Sequence, residues 1–166
     1  MRNRITLLMA LAVQLPAVSV VGAQQSAAVD LSGTWVVNVG KSSFSPMAAP
    51  TIDSIVVTRA DGSYQFDATS DFGGQGKQHL VYKWPIGAGE VTNNISGAIV
   101  HTTIAVKGDT LLPTSQITMQ GQTVATQTGR VFRSADGKTL TRDVVVQPTS
   151  SMGADPIHVV FVYDRR

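Results

Sequence analysis

Glycine-bearing turn signals recur along the chain at Asp61-Gly62, Gly73-Gly74, Gly87-Ala88-Gly89, Ser96-Gly97, Gly108-Asp109, Gln120-Gly121, Asp136-Gly137 and Met152-Gly153. Tight hairpin turns need backbone at positive φ, which glycine adopts without strain, so this punctuation predicts consecutive antiparallel hairpins. The intervening runs alternate apolar and polar residues and are expected as strands at 34–39, 52–59, 64–70, 77–84, 90–95, 99–107, 110–119, 122–133, 139–147 and 157–165. Val (22), Thr (17) and Ile (9) fill 48 of the 166 positions, a β-branched excess that fits a pleated sheet. No stretch keeps a 3.6-residue apolar period with caps, so helix is not expected. The fold class is therefore all-β. An antiparallel meander closed into a barrel is the leading architecture, because closure removes exposed sheet edges, and a β-sandwich is the alternative. Pro113, inside a strand run, implies a bulge or an edge there.

One domain is expected at this length, large enough to bury a core without covalent staples. The absence of cysteine excludes disulfide scaffolds, thiol nucleophiles, zinc ribbons and lipid attachment at an N-terminal Cys. The N-terminus reads as a secretory signal. Arg2 and Arg4 make a basic start, residues 5–15 an apolar run broken at Pro16, and Val21-Gly22-Ala23 a small-residue cleavage site. This run is too short for a stable membrane span. The domain organisation is then a signal peptide over 1–23, a flexible lead-in over 24–29 and a single barrel domain over 30–166, in a periplasmic or secreted protein. Without Arg2 and Arg4 the chain carries 11 basic and 11 acidic side chains, a formal net charge of zero. An electroneutral chain without a Lys/Arg cluster lacks the footprint of a nucleic-acid binder or of a membrane-surface helix, and both classes are excluded.

No catalytic constellation is evident. There is no Gly-x-Ser-x-Gly elbow, phosphate-cradling loop, His-Glu-x-x-His or dinucleotide fingerprint, so no catalytic residue, metal site or cofactor is assigned. His79, His101 and His158 fall in three strands at no ligand-like spacing, among apolar neighbours that suit core or rim histidines. The single Glu90 leaves any acidic dyad to Asp residues such as Asp67, Asp71 and Asp143. Asp71 reads as a turn residue. Asp67 and Asp143 sit mid-strand, where burial would make a general acid or base and an Arg partner would make a surface pair.

The aromatic pattern is more informative. Tyr64 and Phe66, Tyr82 and Trp84, and Phe161 and Tyr163 are i,i+2 pairs, so each pair projects from one strand face. Facing inward, they would either fill the core or line a pocket. A barrel of about eight strands is just wide enough for side chains to fill it or for one small ligand to enter. Tyr64, Phe66, Tyr82, Trp84 and Tyr163 are the candidate walls, with His101 as a polar contact at the mouth.

Asp30-Leu31-Ser32-Gly33-Thr34-Trp35, followed by Asn38, Lys41-Ser42, Phe44, Pro46 and Pro50, resembles the opening of a family of small secreted bacterial lipocalin-like proteins, mostly uncharacterised. Asp136-Gly137-Lys138-Thr139-Leu140-Thr141 and Phe161-Val162-Tyr163-Asp164 extend the likeness along the chain. Gly33-Thr34-Trp35 also resembles the Gly-x-Trp start of the first strand in calycin barrels. The resemblance implies an antiparallel barrel and brings no established activity. It also implies a Trp35 ring covered by an arginine from near the last strand, with Arg165, Arg142 or Arg133 as counterparts. Where that family often has an Asp-Gly-Lys turn, this chain has Trp84-Pro85-Ile86-Gly87-Ala88-Gly89, so a different local loop is expected.

Three functions fit: a non-catalytic exported barrel for a small, largely apolar ligand, a structural or interaction module without ligand, or a small isomerase, cyclase or hydrolase using Asp, Tyr or His at the barrel mouth. N-terminal sequencing of protein from its native cell is expected to return Gln24 as the first residue. Intact Met1 protein in the cytoplasm would overturn the export assignment.

Overall fold

The computed structural model of the protein describes residues 29–72, 74, 76–149 and 155–166. The expected signal peptide and residues 24–28 of the lead-in lie outside them. Within them the chain is strand nearly throughout: β1 (Gly33–Val37), β2 (Pro50–Ala60), β3 (Ser63–Phe72), β4 (Gln78–Pro85), β5 (Gly89–Ile95), β6 (Ala98–Lys107), β7 (Thr110–Met119), β8 (Gln122–Arg133), β9 (Thr139–Pro148) and β10 (Ile157–Arg165). One 3-10 turn, Val39–Lys41, is the only helical piece among the described residues.

The turn chemistry sets the hairpins. Asp61-Gly62, Ser96-Gly97 and Gln120-Gly121 are two-residue loops with both members at positive φ, between 50° and 84°. That is the type I′ geometry whose twist matches the flanking strands. Such loops lock the register of β2–β3, β5–β6 and β7–β8, and each register decides which side chains face inward.

All ten strands form one antiparallel sheet in the order β4-β3-β2-β1-β10-β9-β8-β7-β6-β5, curled into a half-barrel. Eight ladders join sequence neighbours, and a ninth joins β1 to β10, with Trp35 opposite Arg165. The meander expectation fails at one place. β4 and β5 are consecutive yet share no ladder, and they face each other as the two edges of the sheet. The loop explains this: Pro85 has no N–H to donate, and the Ile86 N–H bonds the Gly62 carbonyl at 2.8 Å, drawing the connection toward the β2–β3 turn. A side chain closes the seam instead. The Asn93 amide accepts from the Lys83 N–H at 2.8 Å and donates to the Lys83 carbonyl at 3.0 Å, standing in for a peptide group.

Pro113 sits in an interior strand rather than at an edge. The β7–β8 register skips Leu112 and Pro113, and the irregularity in that ladder falls further on, between Ile117 and Thr118. Gly129, on the neighbouring strand, is required by the β8–β9 pairing, since a Cβ there would stand 2.8 Å from the Asp143 carbonyl, while the Pro113 ring would be at an ordinary contact distance of 3.6 Å.

One end of the barrel is packed solid. Trp35, Leu31, Tyr64, Phe66, Leu111 and Leu140 are all essentially inaccessible, and Val29 and Leu31 plug the base. The Trp35 indole donates to the Leu31 carbonyl at 3.0 Å, and the Tyr64 hydroxyl donates to the Val29 carbonyl, so the two polar aromatic atoms buried there are satisfied. Of the three candidate arginines it is Arg165 that covers Trp35, its guanidinium 5.4 Å from the ring centroid. Arg133 instead pairs with Asp30 at 3.1 Å. Gly33 is what allows the cover: its φ is 143°, and a Cβ there would meet the Arg165 guanidinium at 3.2 Å. Gly33→Ala is therefore expected to lose about 1–3 kcal/mol, from backbone strain together with displacement of the arginine. Chemical denaturation checks this, and the Arg165→Ala background should recover only the displacement part.

Candidate functional site

Above the packed layer the interior is hollow. A half-open cavity of about 370 Å³ lies toward the barrel end that carries the β3–β4, β5–β6 and β7–β8 turns. Its volume follows from residue size. Where the base has Trp35, Tyr64 and Leu140, the inward positions here include Ala68, Ser70, Ala98, Thr102 and Ser115. Strand alternation puts all of these on the same face as the core. The remaining wall is largely apolar and aromatic, with Ile55, Leu80, Trp84, Ile95, Val100, Ile117 and Phe161 among its members.

The expected wall residues divide between the two layers. Tyr82, Trp84 and Tyr163 line the cavity. Tyr64 and Phe66 lie in the packed layer and support it: Phe66 stacks on Tyr82 with centroids 4.7 Å apart and planes within 6°, and meets Trp84 edge-on at 4.9 Å. His101 does not reach the cavity. It is exposed on the outer face of β6, where Nδ1 lies 3.1 Å from the Thr92 hydroxyl. His79 and His158 also face outward, 2.7 Å from Asp67 and 2.8 Å from Asp143, so the three histidines do not converge. The apolar neighbours that made His79 and His101 look internal, Val81 and Ile99, are themselves exposed. Asp143 is a surface pair, held below the ordinary carboxylate range by the Arg130 hydrogen bond and, in smaller measure, by His158.

No family model and no curated protein matches the chain. The fold is similar to the crystal structure of Rv2717c from M. tuberculosis, with a TM-score of 0.50 and 15% identity over 82% of this chain and 92% of that one. At that identity the likeness shows the barrel fold alone.

The polar residues of the cavity centre on Asp53 and Arg142. Asp53 is buried on β2 and accepts from the Tyr163 hydroxyl at 2.9 Å and from the Ser70 hydroxyl at 3.2 Å. Burial pushes its carboxyl above the usual range, against the lowering effects of Tyr163, Arg142 and Ser70. Burial also raises the Tyr163 and Tyr82 hydroxyls. Arg142, on β9, points inward with its guanidinium 5.9 Å from the Phe161 ring centroid. Burial works against its charge, but Tyr82, Tyr163 and Asp53 together hold its pKa above the ordinary guanidinium value. Thr102 and Ser115, opposite each other on β6 and β7, satisfy one another at 2.8 Å.

Sequence reasoning did not single out Asp53, Arg142, Asn93 or the Thr102–Ser115 pair for this site. Strand parity carried the signal for two of them. Asp53 alternates with Ile55 and Val57, and Arg142 with Leu140 and Val144, so each is a charged residue in an otherwise inward apolar series.

Because the folded protein raises the Asp53 pKa, folding favours its protonated form. The corresponding stability is fully present below the unfolded value of about 3.9 and is lost as pH rises through the folded one. Asp53→Asn should therefore be more stable than the parent near neutral pH, with the difference shrinking as pH falls through the raised folded value toward about 4 and constant below that. Thermal melts of both proteins across that range provide the check.

Proposed function

We propose that this chain is an exported, lipocalin-like, non-catalytic binding barrel that takes one small, largely apolar molecule into its cavity. The observation that carries the reading is the division of the interior. A fully packed aromatic base supports a cavity of about 370 Å³ whose wall is mostly apolar with a few grouped polar side chains. This is the make-up of a small-molecule site, in which apolar area supplies affinity and sparse polar groups set orientation. Its size is at the low end of ligand pockets, about 300–1,000 Å³. Export rests on the tripartite N-terminal sequence.

A second reading draws on Asp53. A buried acid with a raised pKa in a cavity wall, hydrogen-bonded to Tyr163, is how a barrel enzyme would hold a general acid or base. Both oxygens of Asp53 already accept hydrogen bonds from the protein, which favours a structural part for it and keeps binding as the first reading.

Trp84 lines the cavity and Trp35 is sealed in the base, so ligand entry should change the emission of Trp84 alone. Titration with fatty acids, terpenoids and aromatic metabolites is expected to give a saturable change that the Trp84→Phe variant lacks. No saturable change from any of them at micromolar protein would replace this reading with that of a structural module. Turnover that Asp53→Asn abolishes would instead establish the enzyme.

A further inference from the structure

We infer that the polar end of the cavity receives the carboxylate of a small amphipathic acid, with the Arg142 guanidinium as its cation and the Tyr82 hydroxyl as its second donor. The inference rests on the binding reading above and names the class of ligand for that same site.

Arg142 and Tyr82 stand together in one wall, the guanidinium close enough to the Tyr82 and Tyr163 hydroxyls to interact with both. Arg142 Nε and the Tyr82 hydroxyl are nevertheless both buried without a hydrogen bond of normal geometry. A buried polar atom without a partner is destabilising, and native structures leave few of them. Arg142 also forms no ion pair among the described residues. Asp53 is the acid whose charge it feels, but the two Asp53 oxygens are engaged by Ser70 and Tyr163, and no Arg142 nitrogen is in ion-pair contact with them. The guanidinium is thus a cation whose charge Tyr82, Tyr163 and Asp53 support, with no carboxylate of the described residues in ion-pair contact, which leaves the contact-anion position open to a ligand.

The geometry suits a carboxylate. A guanidinium edge is a planar donor array that matches carboxylate oxygens, and a hydrogen bond to a charged acceptor is stronger than one to a neutral acceptor. Tyr82 is held by its stack on Phe66, so its hydroxyl is fixed in the wall before any ligand arrives. The guanidinium carbon sits over the Phe161 ring, 5.9 Å from its centroid. Beyond this polar end the wall passes to Leu80, Ile95, Val100 and Ile117, which suits a hydrocarbon body and not a second charge.

The test is calorimetric titration of the full mature chain near neutral pH with decane, naphthalene and bicyclic terpene bodies, each carrying in turn a carboxylic acid, a primary alcohol and a primary amine. For at least one body the acid is expected to bind about tenfold or more tightly than the alcohol, and the amine most weakly. Arg142→Met should abolish the preference for acid over alcohol. Tyr82→Phe, which keeps the ring stack, should weaken the acid several-fold. Should Arg142→Met fail to fold, the acid-to-alcohol ratio in the parent and in Tyr82→Phe decides the matter. Equal binding of acid and alcohol would overturn the head-group assignment while the binding reading stands. Tightest binding by the amine would do the same and assign the site to Asp53. If no compound of any body binds, the binding reading fails and this inference with it.

Discussion

The ladder between β1 and β10 is the junction on which the rest of the barrel depends. It pairs the first strand with the last, residue 35 against residue 165, and without it the ten strands separate into one sheet of β1 to β4 and another of β5 to β10. Closing so long a loop is the costliest entropic step of the fold, and the contacts clustered there offset it. Beyond the ladder, the Asn38 N–H reaches the Val162 carbonyl at 2.7 Å, Ser43 bridges to Val160, and the Arg166 N–H reaches the Thr34 carbonyl at 2.9 Å. Asn38 Nδ2 donates to Asp164 at 2.6 Å, and Lys41 adds an exposed ion pair to the same carboxylate at 3.0 Å. The exposed pair is a minor contributor, since such pairs are worth about 0–1 kcal/mol. The apolar part dominates: Trp35 is fully buried, and truncation of a buried Trp costs about 3–5 kcal/mol. Gly33, Trp35 and Arg165 therefore work as one device, in which a missing Cβ lets a last-strand arginine lie over a first-strand indole.

Once the two halves are joined, the sizes of the inward side chains decide what the interior becomes. On β3 the inward series runs Tyr64, Phe66, Ala68, Ser70, from fully buried rings to a small hydroxyl at the cavity wall. The strand thus passes from filling the barrel to leaving room within a few residues. β6 and β7 repeat the gradient, from Ile104 and Leu111 in the core cluster to Thr102 and Ser115 at the wall. The packed base gives the cavity a rigid floor, because Phe66 holds both Tyr82 and Trp84 from below.

Much of this was legible in the sequence, and the parts that were not have identifiable causes. Hairpins such as Asp61-Gly62 and Ser96-Gly97 are local, so their residues alone dictate the turn and hence the strands around it. The i,i+2 aromatic pairs could be placed on common faces for the same reason. What could not be read was which rings their neighbours would cover: Phe66 stands directly opposite Tyr82 and Tyr64 opposite Trp84, yet only the β4 rings and Tyr163 reach the cavity. The seam was hidden too. Nothing local distinguishes β4 and β5 from a paired hairpin except Pro85, and the Asn93 amide that replaces their ladder acts across the barrel wall. His101 shows the opposite error, for apolar neighbours such as Ile99 imply an inward face only when the face itself is buried.

The buried Arg142 bears on whether the barrel is a ligand site or only a stable module. Asp53, Tyr82 and Tyr163 favour the charge of this inward guanidinium, yet no carboxylate among the described residues is in ion-pair contact with it. Placing one in a cavity wall without a contact anion carries a desolvation penalty of the order of several kcal/mol, and an apolar residue of similar volume would avoid it. The position itself does not demand the charge, since Leu140 and Val144 on the same face of β9 are apolar and buried. Natural sequences depart from locally optimal choices mainly at functional or strained sites. The free Arg142 Nε and Tyr82 hydroxyl are such a departure, located in the part of the interior that the small residues of β3, β6 and β7 leave open. Elsewhere the buried Trp35, Tyr64 and Thr102 donors find partners in Leu31, Val29 and Ser115, while Asp71 on β3 keeps one buried carboxylate oxygen unpaired. Two of the three unpaired buried atoms among the described residues thus lie at the cavity, which favours a barrel shaped for a ligand over one that is merely incompletely filled.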